Sequence, residues 1–321
     1  MKFTKIAAVV LAGAMLLTGC GQKKEEGTKA GAPTFDTTKT AMTIGDVNVS
    51  AGLFNFYFNS FMRQTDDKDK AKEAALEQCE NNLLILAVAQ AKGVTFDEDK
   101  QKEIDDYKQS VVDSYDGGYE DFLNENGLTD EDIDTIISVG YYAEELEKEV
   151  DQTEYTDDEK RDYFKNHYRR AKHILISVDD DTDDAAAKKQ AEELLNRAKN
   201  GEDFDALITE FSKDPGSASN PDGYVFTDNE MVQEFQDGVD SIGYGEFTLV
   251  KSDYGYHVIE RLALDETPEY FEEQYTKNAD SVATVMENNR FEEQVHAWEK
   301  EYNIETKVDD AVINEIVNAA E

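Results

Sequence analysis

The chain has 321 residues, enough for two or three domains, with 39% hydrophobic and 10% aromatic residues to fill their cores. That apolar share excludes a wholly disordered chain. Its 72 Asp and Glu against 32 Lys and Arg give a net charge of −40, which excludes nucleic-acid binding, because phosphates require a basic face, and gives anionic lipid head groups no attraction.

The N-terminus carries Lys2 and Lys5, then the apolar run Ile6–Leu17. Twelve residues are too few to cross a bilayer, which takes about 20, and the pattern reads as a secretory signal. Leu17-Thr18-Gly19-Cys20 then resembles a bacterial lipobox. The resemblance implies a signal peptide over 1–19, cleavage before Cys20 and a diacylglyceryl thioether on its sulfur. Loss of Lys2 and Lys5 leaves a charge of about −42 on the mature chain. The expected location is extracytoplasmic, lipid-anchored to the outer face of the bacterial cell membrane. With Cys20 lipidated, only Cys79 remains, so no intramolecular disulfide is expected. Cys79 shares helical spacing with Ala75, Leu76, Leu83, Leu86 and Ala87 and reads as a core residue.

Residues 20–40 are small, polar and aperiodic, the pattern of a flexible tether reaching roughly 25 Å. Thr43–Ser50 predicts two short strands around a Gly-Asp turn, with Ser50 as N-cap of a helix over Leu53–Arg63. Further helices are expected at 71–92, 97–115, 119–126 and 129–150, with Gly93 ending the first of these and Thr129-Asp-Glu-Asp opening the last. Residues 41–167 thus read as a helical, chaperone-like region. From 168 the pattern changes to a β run, Ala171–Val178, a polar stretch, Asp179–Asp184, and a helix with Ala187, Ala191, Leu194 and Ala198 on one face. A short helix with Phe204, Leu207 and Phe211 follows, then strands at Tyr224–Phe226, Glu246–Val250 and Tyr256–Leu262. Residues 168–264 therefore form a compact α+β domain. The remainder, 265–321, returns to helix over Thr267–Glu301, with a β-like stretch Tyr302–Val308 and a last helix from Asp309; it is a candidate to pack back on the first helical region.

His173 and His257 sit inside strands of the α+β domain. The segments Ala-Lys-His173-Ile-Leu-Ile, Phe211-Ser-Lys-Asp214-Pro-Gly-Ser-Ala, Glu230-Met231-Val-Gln-Glu-Phe235 and Ser252-Asp-Tyr-Gly-Tyr-His257-Val-Ile resemble, in order and spacing, the parvulin family of peptidyl-prolyl isomerases. Behind a lipobox and between helical flanks, the whole chain resembles the PrsA-type extracellular foldases of Gram-positive bacteria. The resemblance implies a four-stranded antiparallel sheet with surrounding helices and a central hydrogen-bonded pair, His173 and His257. It also implies a hydroxyl from Ser252 on one histidine, Asp214 facing the substrate carbonyl, and Met231, Phe235 and Phe226 around the proline ring. It implies no cofactor and no metal.

Two departures bear on activity and specificity. Parvulins usually carry Gly-Gly-Asp-Leu-Gly after the acidic loop; here the stretch is Asn220-Pro-Asp-Gly-Tyr-Val-Phe226, one residue shorter and without the cup leucine, which places Tyr224 or Val225 in the wall. The acidic run 179–184 stands where phosphate-directed parvulins are basic, so no preference for phosphoserine-proline is expected. That run lacks the glycine and terminal glutamate of a calcium loop. The expected function is an anchored prolyl isomerase that helps exported chains fold, acting on unfolded or partly folded polypeptides with X–Pro bonds. The alternative is a holdase with a weak or inactive parvulin domain; a plain surface adhesin is remoter. A homodimer is left open.

Overall fold

The computed structural model describes residues 33–320 apart from 64, 66, 116–117, 179–182 and 229. The expected signal peptide, Cys20, most of the tether and four residues of the acidic run therefore lie outside the described residues. The chain is α+β and divides into two compact units. One unit holds the described residues up to Thr153 together with those from Glu287; the other is Glu154–Met286.

In the first unit, β1 (Thr40–Ile44) and β2 (Val47–Ser50) form the expected hairpin, and β7 (Thr306–Val308) pairs antiparallel on the other side of β1. Helices α1 (Ala51–Met62), α2 (Lys68–Lys92), α3 (Glu98–Ser114), α4 (Tyr119–Asn126) and α5 (Asp130–Glu147) follow, and α11 (Asp310–Ala319) closes the chain. The caps are those the sequence points to. Ser50 Oγ accepts from Leu53 N–H at 2.9 Å, Thr129 and Asp132 form a reciprocal capping box, and Gly93 takes φ +72° after α2. Phe54, Phe58, Leu83 and Cys79 are fully buried in one core with Trp298 and Ile313; each large apolar side chain removed from water stabilises by about 1.5–3 kcal/mol. The last residues of the expected tether, up to 40, pack against this unit. Phe35 packs on this core, and the carbonyls of Thr37 and Lys39 accept from Gly52 and Ala51 at 2.9 and 2.7 Å.

The second unit opens with α6 (Asp157–His167), started by a capping box between Thr156 and Glu159. Then come β3 (Arg169–Ser177), α7 (Asp184–Lys199), α8 (Phe204–Phe211), β4 (Tyr224–Phe226), α9 (Gln233–Asp240), β5 (Phe247–Ser252) and β6 (Gly255–Leu262). Helix α10 (Pro268–Glu301) runs through the boundary between the units. The sheet is antiparallel in the order β4-β3-β6-β5. Strand alternation sorts its side chains between two cores. Ile174, Ile176, Tyr256 and Val258 pack with Ala187, Leu194 and Leu207 of α7 and α8. Ala171, Ile259, Phe226, Phe235 and Val239 form the other cluster, beneath α9. His173 and His257, two residues on from Ala171 and two before Ile259, share that second face.

Candidate active site

The register brings the two histidines together. His173 lies opposite Ile259 and His257 opposite Leu175, so they are diagonal neighbours on adjacent strands, the placement from which long side chains meet. Their Nδ1 atoms are 3.0 Å apart and their ring planes differ by 9°. His173 Nε2 lies 2.9 Å from Asp214 Oδ2, and His257 Nε2 lies 2.8 Å from Ser252 Oγ, carried in on the end of β5. The Ser252 hydroxyl in turn accepts the Tyr254 N–H at 3.2 Å. His173, Asp214, Ser252 and His257 thus form one continuous hydrogen-bonded row.

Phe235 stands edge-on to both imidazoles, at 5.1 and 5.6 Å between ring centres, and Phe226 supports Phe235 from behind at 5.8 Å. Phe226 and Phe235 are only 1% and 2% exposed in one apolar cluster, and Met231 and Tyr224 lie half-buried against it. Val225 instead packs in the separate cluster around Phe164, Tyr168 and Tyr275. A cleft of about 410 Å³ adjoins the row, lined by His173, Asp214, Ser217, Asn220 and Tyr224.

Residues 158–267, which hold this whole row, match the family described as a PPIC-type PPIASE domain. Chaperone SurA of Pseudomonas putida is 34% identical over 160 residues, 47% of this chain and 36% of that protein. Foldase protein PrsA of Geobacillus sp. is 33% identical over 162 residues, 49% of this chain and 54% of that protein. Foldase protein PrsA of Halalkalibacterium halodurans is 30% identical over 239 residues, 71% of this chain and 67% of that protein. The chain belongs to the PrsA foldase family. It spans about a third and about half of the length of the first two relatives.

In this PrsA-family chain, electrostatics fix the direction of the row. Burial holds both imidazoles below the ordinary histidine range: it outweighs the Asp214 carboxylate at His173, and with the neighbouring His173 it takes His257 down to about 4. Both are neutral at neutral pH. Asp214 is held down at about 2: burial works against its charge, but hydrogen bonds from Tyr224, Ser217, His173 and the Gly216 N–H outweigh it. A carboxylate only accepts, so His173 must donate from Nε2. Its Nδ1 then accepts from His257 Nδ1–H, which leaves His257 Nε2 to accept from the Ser252 hydroxyl. Every proton in the row therefore points toward Asp214.

The sequence reading put Tyr224 or Val225 in the cup wall but gave Asp214 none of Tyr224, Ser217 or the Gly216 N–H as a partner. Ser217 Oγ–H and Tyr224 O–H donate to Asp214 Oδ2 at 2.7 and 2.5 Å, while Gly216 N–H donates to Oδ1 at 3.1 Å. The signal for the first was Asp214-Pro-Gly-Ser217, a turn sequence in which an aspartate bonds its own loop. Of the acidic run, Asp183 caps α7, and Asp184 lies in its first turn, paired with Lys251 at 2.6 Å. Among the described residues no cluster of His, Cys, Asp and Glu has the arrangement of a metal site.

Proposed function

We propose that this chain is a peptidyl-prolyl cis/trans isomerase of exported proteins, held at the outer face of the cell membrane through lipidated Cys20. The observation that carries the reading is the row Ser252–His257–His173–Asp214, neutral at both imidazoles and set beside the apolar cluster of Phe226, Phe235 and Met231, which we read as the recess for the proline ring. Rotation about an X–Pro bond is opposed by about 18–20 kcal/mol of amide resonance, and no proton has to move for it to happen. What is required is tighter binding of the twisted amide than of the planar one. Met231 and Tyr224 grip the proline ring over Phe235, while Phe226 and Phe235 keep the recess dry, so the less polar twisted amide is favoured. Acceleration of about 10⁴ needs only about 5.5 kcal/mol of such differential binding. His173 and His257 present a fixed hydrogen-bonding surface, and the charged Asp214 discourages negative charge on the carbonyl oxygen.

The lipobox at Leu17–Cys20 supports anchoring, and no helix among the described residues is long and apolar enough to span a membrane. The net charge of −40 favours neutral or basic clients with no phosphoserine-proline preference. Relatives named chaperone and foldase support unfolded polypeptides as clients. The test is proline-limited refolding of a model client with the wild type and with His257→Ala. Faster refolding that is lost in the variant supports isomerisation. No acceleration by the wild type, with equal suppression of aggregation by both proteins, would replace it with a holdase.

A further inference from the structure

Asp214 receives more donors than anchoring one histidine requires. Three hydrogen-bond donors, from His173, Ser217 and Tyr224, converge on Oδ2 at 2.9, 2.7 and 2.5 Å. A carboxylate oxygen offers about two lone-pair sites, so the three compete, and the shortest contact is the tyrosine's. The surrounding backbone is shaped to deliver that hydroxyl. Tyr224 opens the edge strand β4 opposite Ala171, and Gly223 before it takes φ +96°, where a Cβ would meet the Ala171 carbonyl oxygen at 2.8 Å. The Asp222 carbonyl is held at 2.7 Å by Arg170, a guanidinium only 6% exposed that also stacks on Tyr270. Across the cleft, a Cβ on Gly216 would lie 2.2 Å from the Tyr224 hydroxyl oxygen and 3.4 Å from Asp214 Oδ1. The loop is bare at Gly216 where the hydroxyl passes.

We infer that Tyr224 is a positioning residue of this site: its hydroxyl, and not its ring alone, holds the Asp214 carboxylate in place and thereby fixes which nitrogen of His173 carries the proton. The inference rests on the isomerase reading for its effect on rate, but the positioning itself is a property of the row. With the hydroxyl in place Asp214 stays a pure acceptor, His173 donates from Nε2, and the order of donors back to Ser252 follows. Without it, the carboxylate loses its shortest partner and binds a proton more readily. His173 is then drawn toward its charged form and the row loses its single direction. The other charged or titratable groups around it are Lys172 on β3, paired with Asp205 of α8 at 2.7 Å, His257 on β6 and Glu234 of α9.

The experiment compares the full chain with Tyr224→Phe, Gly216→Ala and the double variant, reading X–Pro peptide isomerisation and the ¹⁵N resonances of the histidine rings. Tyr224→Phe keeps the ring and its edge contact on His173, 5.6 Å away. It is expected to lower kcat/KM about five-fold, the size of one lost hydrogen bond, with KM little changed. It should also raise the acid titration of the His173 ring by about 0.5 pH unit or more. Gly216→Ala should impair the wild type, and impair it less once the hydroxyl is gone; independent, additive losses would overturn the inference. So would unchanged ring resonances, with or without a fall in rate, because the tyrosine would then not act through Asp214. Altered resonances with an unchanged rate in an active wild type would overturn the effect on rate. If the wild type does not isomerise but the resonances move, the isomerase reading falls and the positioning stands.

Discussion

Replacing Asp214 by asparagine changes charge and donor pattern while hardly changing volume. The carboxylate accepts from His173, Ser217, Tyr224 and the Gly216 N–H. An amide has one accepting oxygen and one donating nitrogen. With the oxygen turned to the three side-chain donors, the amide nitrogen faces the Gly216 N–H, donor against donor; turned the other way, it faces all three. Even in the better orientation, bonds to a charged acceptor worth about 1.5–3 kcal/mol fall to about 0.5–1.5 kcal/mol, and one donor is stranded. The side chain is 16% exposed, so water recovers part of this, and the expected loss of folding stability is about 2–4 kcal/mol. Isomerisation should fall about ten-fold or more, since about 1.4 kcal/mol of lost transition-state binding suffices. Urea denaturation by linear extrapolation reads the first quantity, and X–Pro peptide isomerisation at a fixed folded concentration the second. An Asp214→Asn chain within about 0.5 kcal/mol and two-fold of the wild type would show that the row does not depend on a carboxylate at its end.

Stability should also fall on mild acidification. His257 titrates near 4 in the folded chain, because burial and His173 oppose its charge, against 6.5 ordinarily. Below 6.5 the unfolded chain takes up a proton that the folded chain refuses, so stability declines from 6.5 to 4 and then levels off for this group. That gap is worth about 3 kcal/mol. His257→Asn should flatten this part of the stability curve, and an unchanged slope in urea titrations across that range would contradict the burial account. Met231→Ala, at a half-buried site on the recess, should raise KM several-fold while costing about 1 kcal/mol of stability, well under the cost at a full core position; loss of kcat alone would speak against its place under the proline ring. Cys20→Ser should release the chain from the membrane fraction of cells and abolish labelling with a radioactive fatty acid; retention would contradict the anchor.

Much of the fold is legible because it is written in local patterns. The strands of the α+β domain show as short apolar runs, and Ser50, Thr129 and Gly93 mark helix ends that the structure reproduces. Helix α6 carried the same kind of signal, Thr156-Asp-Asp-Glu159, which the acidic surroundings hid. The expected β stretch 302–308 shrinks to Thr306–Val308, since three residues pair with β1 some 260 positions earlier, a partner no local period can name. The boundary at Met286 falls within one uninterrupted helix, α10, where neither Pro nor Gly marks it. At the site, the resemblance to parvulins names His173, Asp214, Ser252 and His257; sheet register brings the two histidines together, and Asp214 reaches His173 from the loop after α8. Ser217 lies within the quoted Phe211–Ala218 segment and Tyr224 in the stretch after it, but their bonds to Asp214 were not legible because they form only once the loop folds back on it. The burial of Phe226 is likewise a three-dimensional fact, since an aromatic one step from a cup has the same sequence signature as one inside it.

The most direct test of the central claim is cis–trans exchange of a short Ala-Pro peptide, followed by two-dimensional NMR exchange spectroscopy with a catalytic amount of the chain. The free peptide interconverts over about tens to hundreds of seconds and gives no exchange cross-peaks. The account predicts cross-peaks at mixing times of about a second with the wild type, and their loss with His257→Ala. Exchange as slow as in the free peptide, with the peptide shown to be bound in the recess, would contradict it.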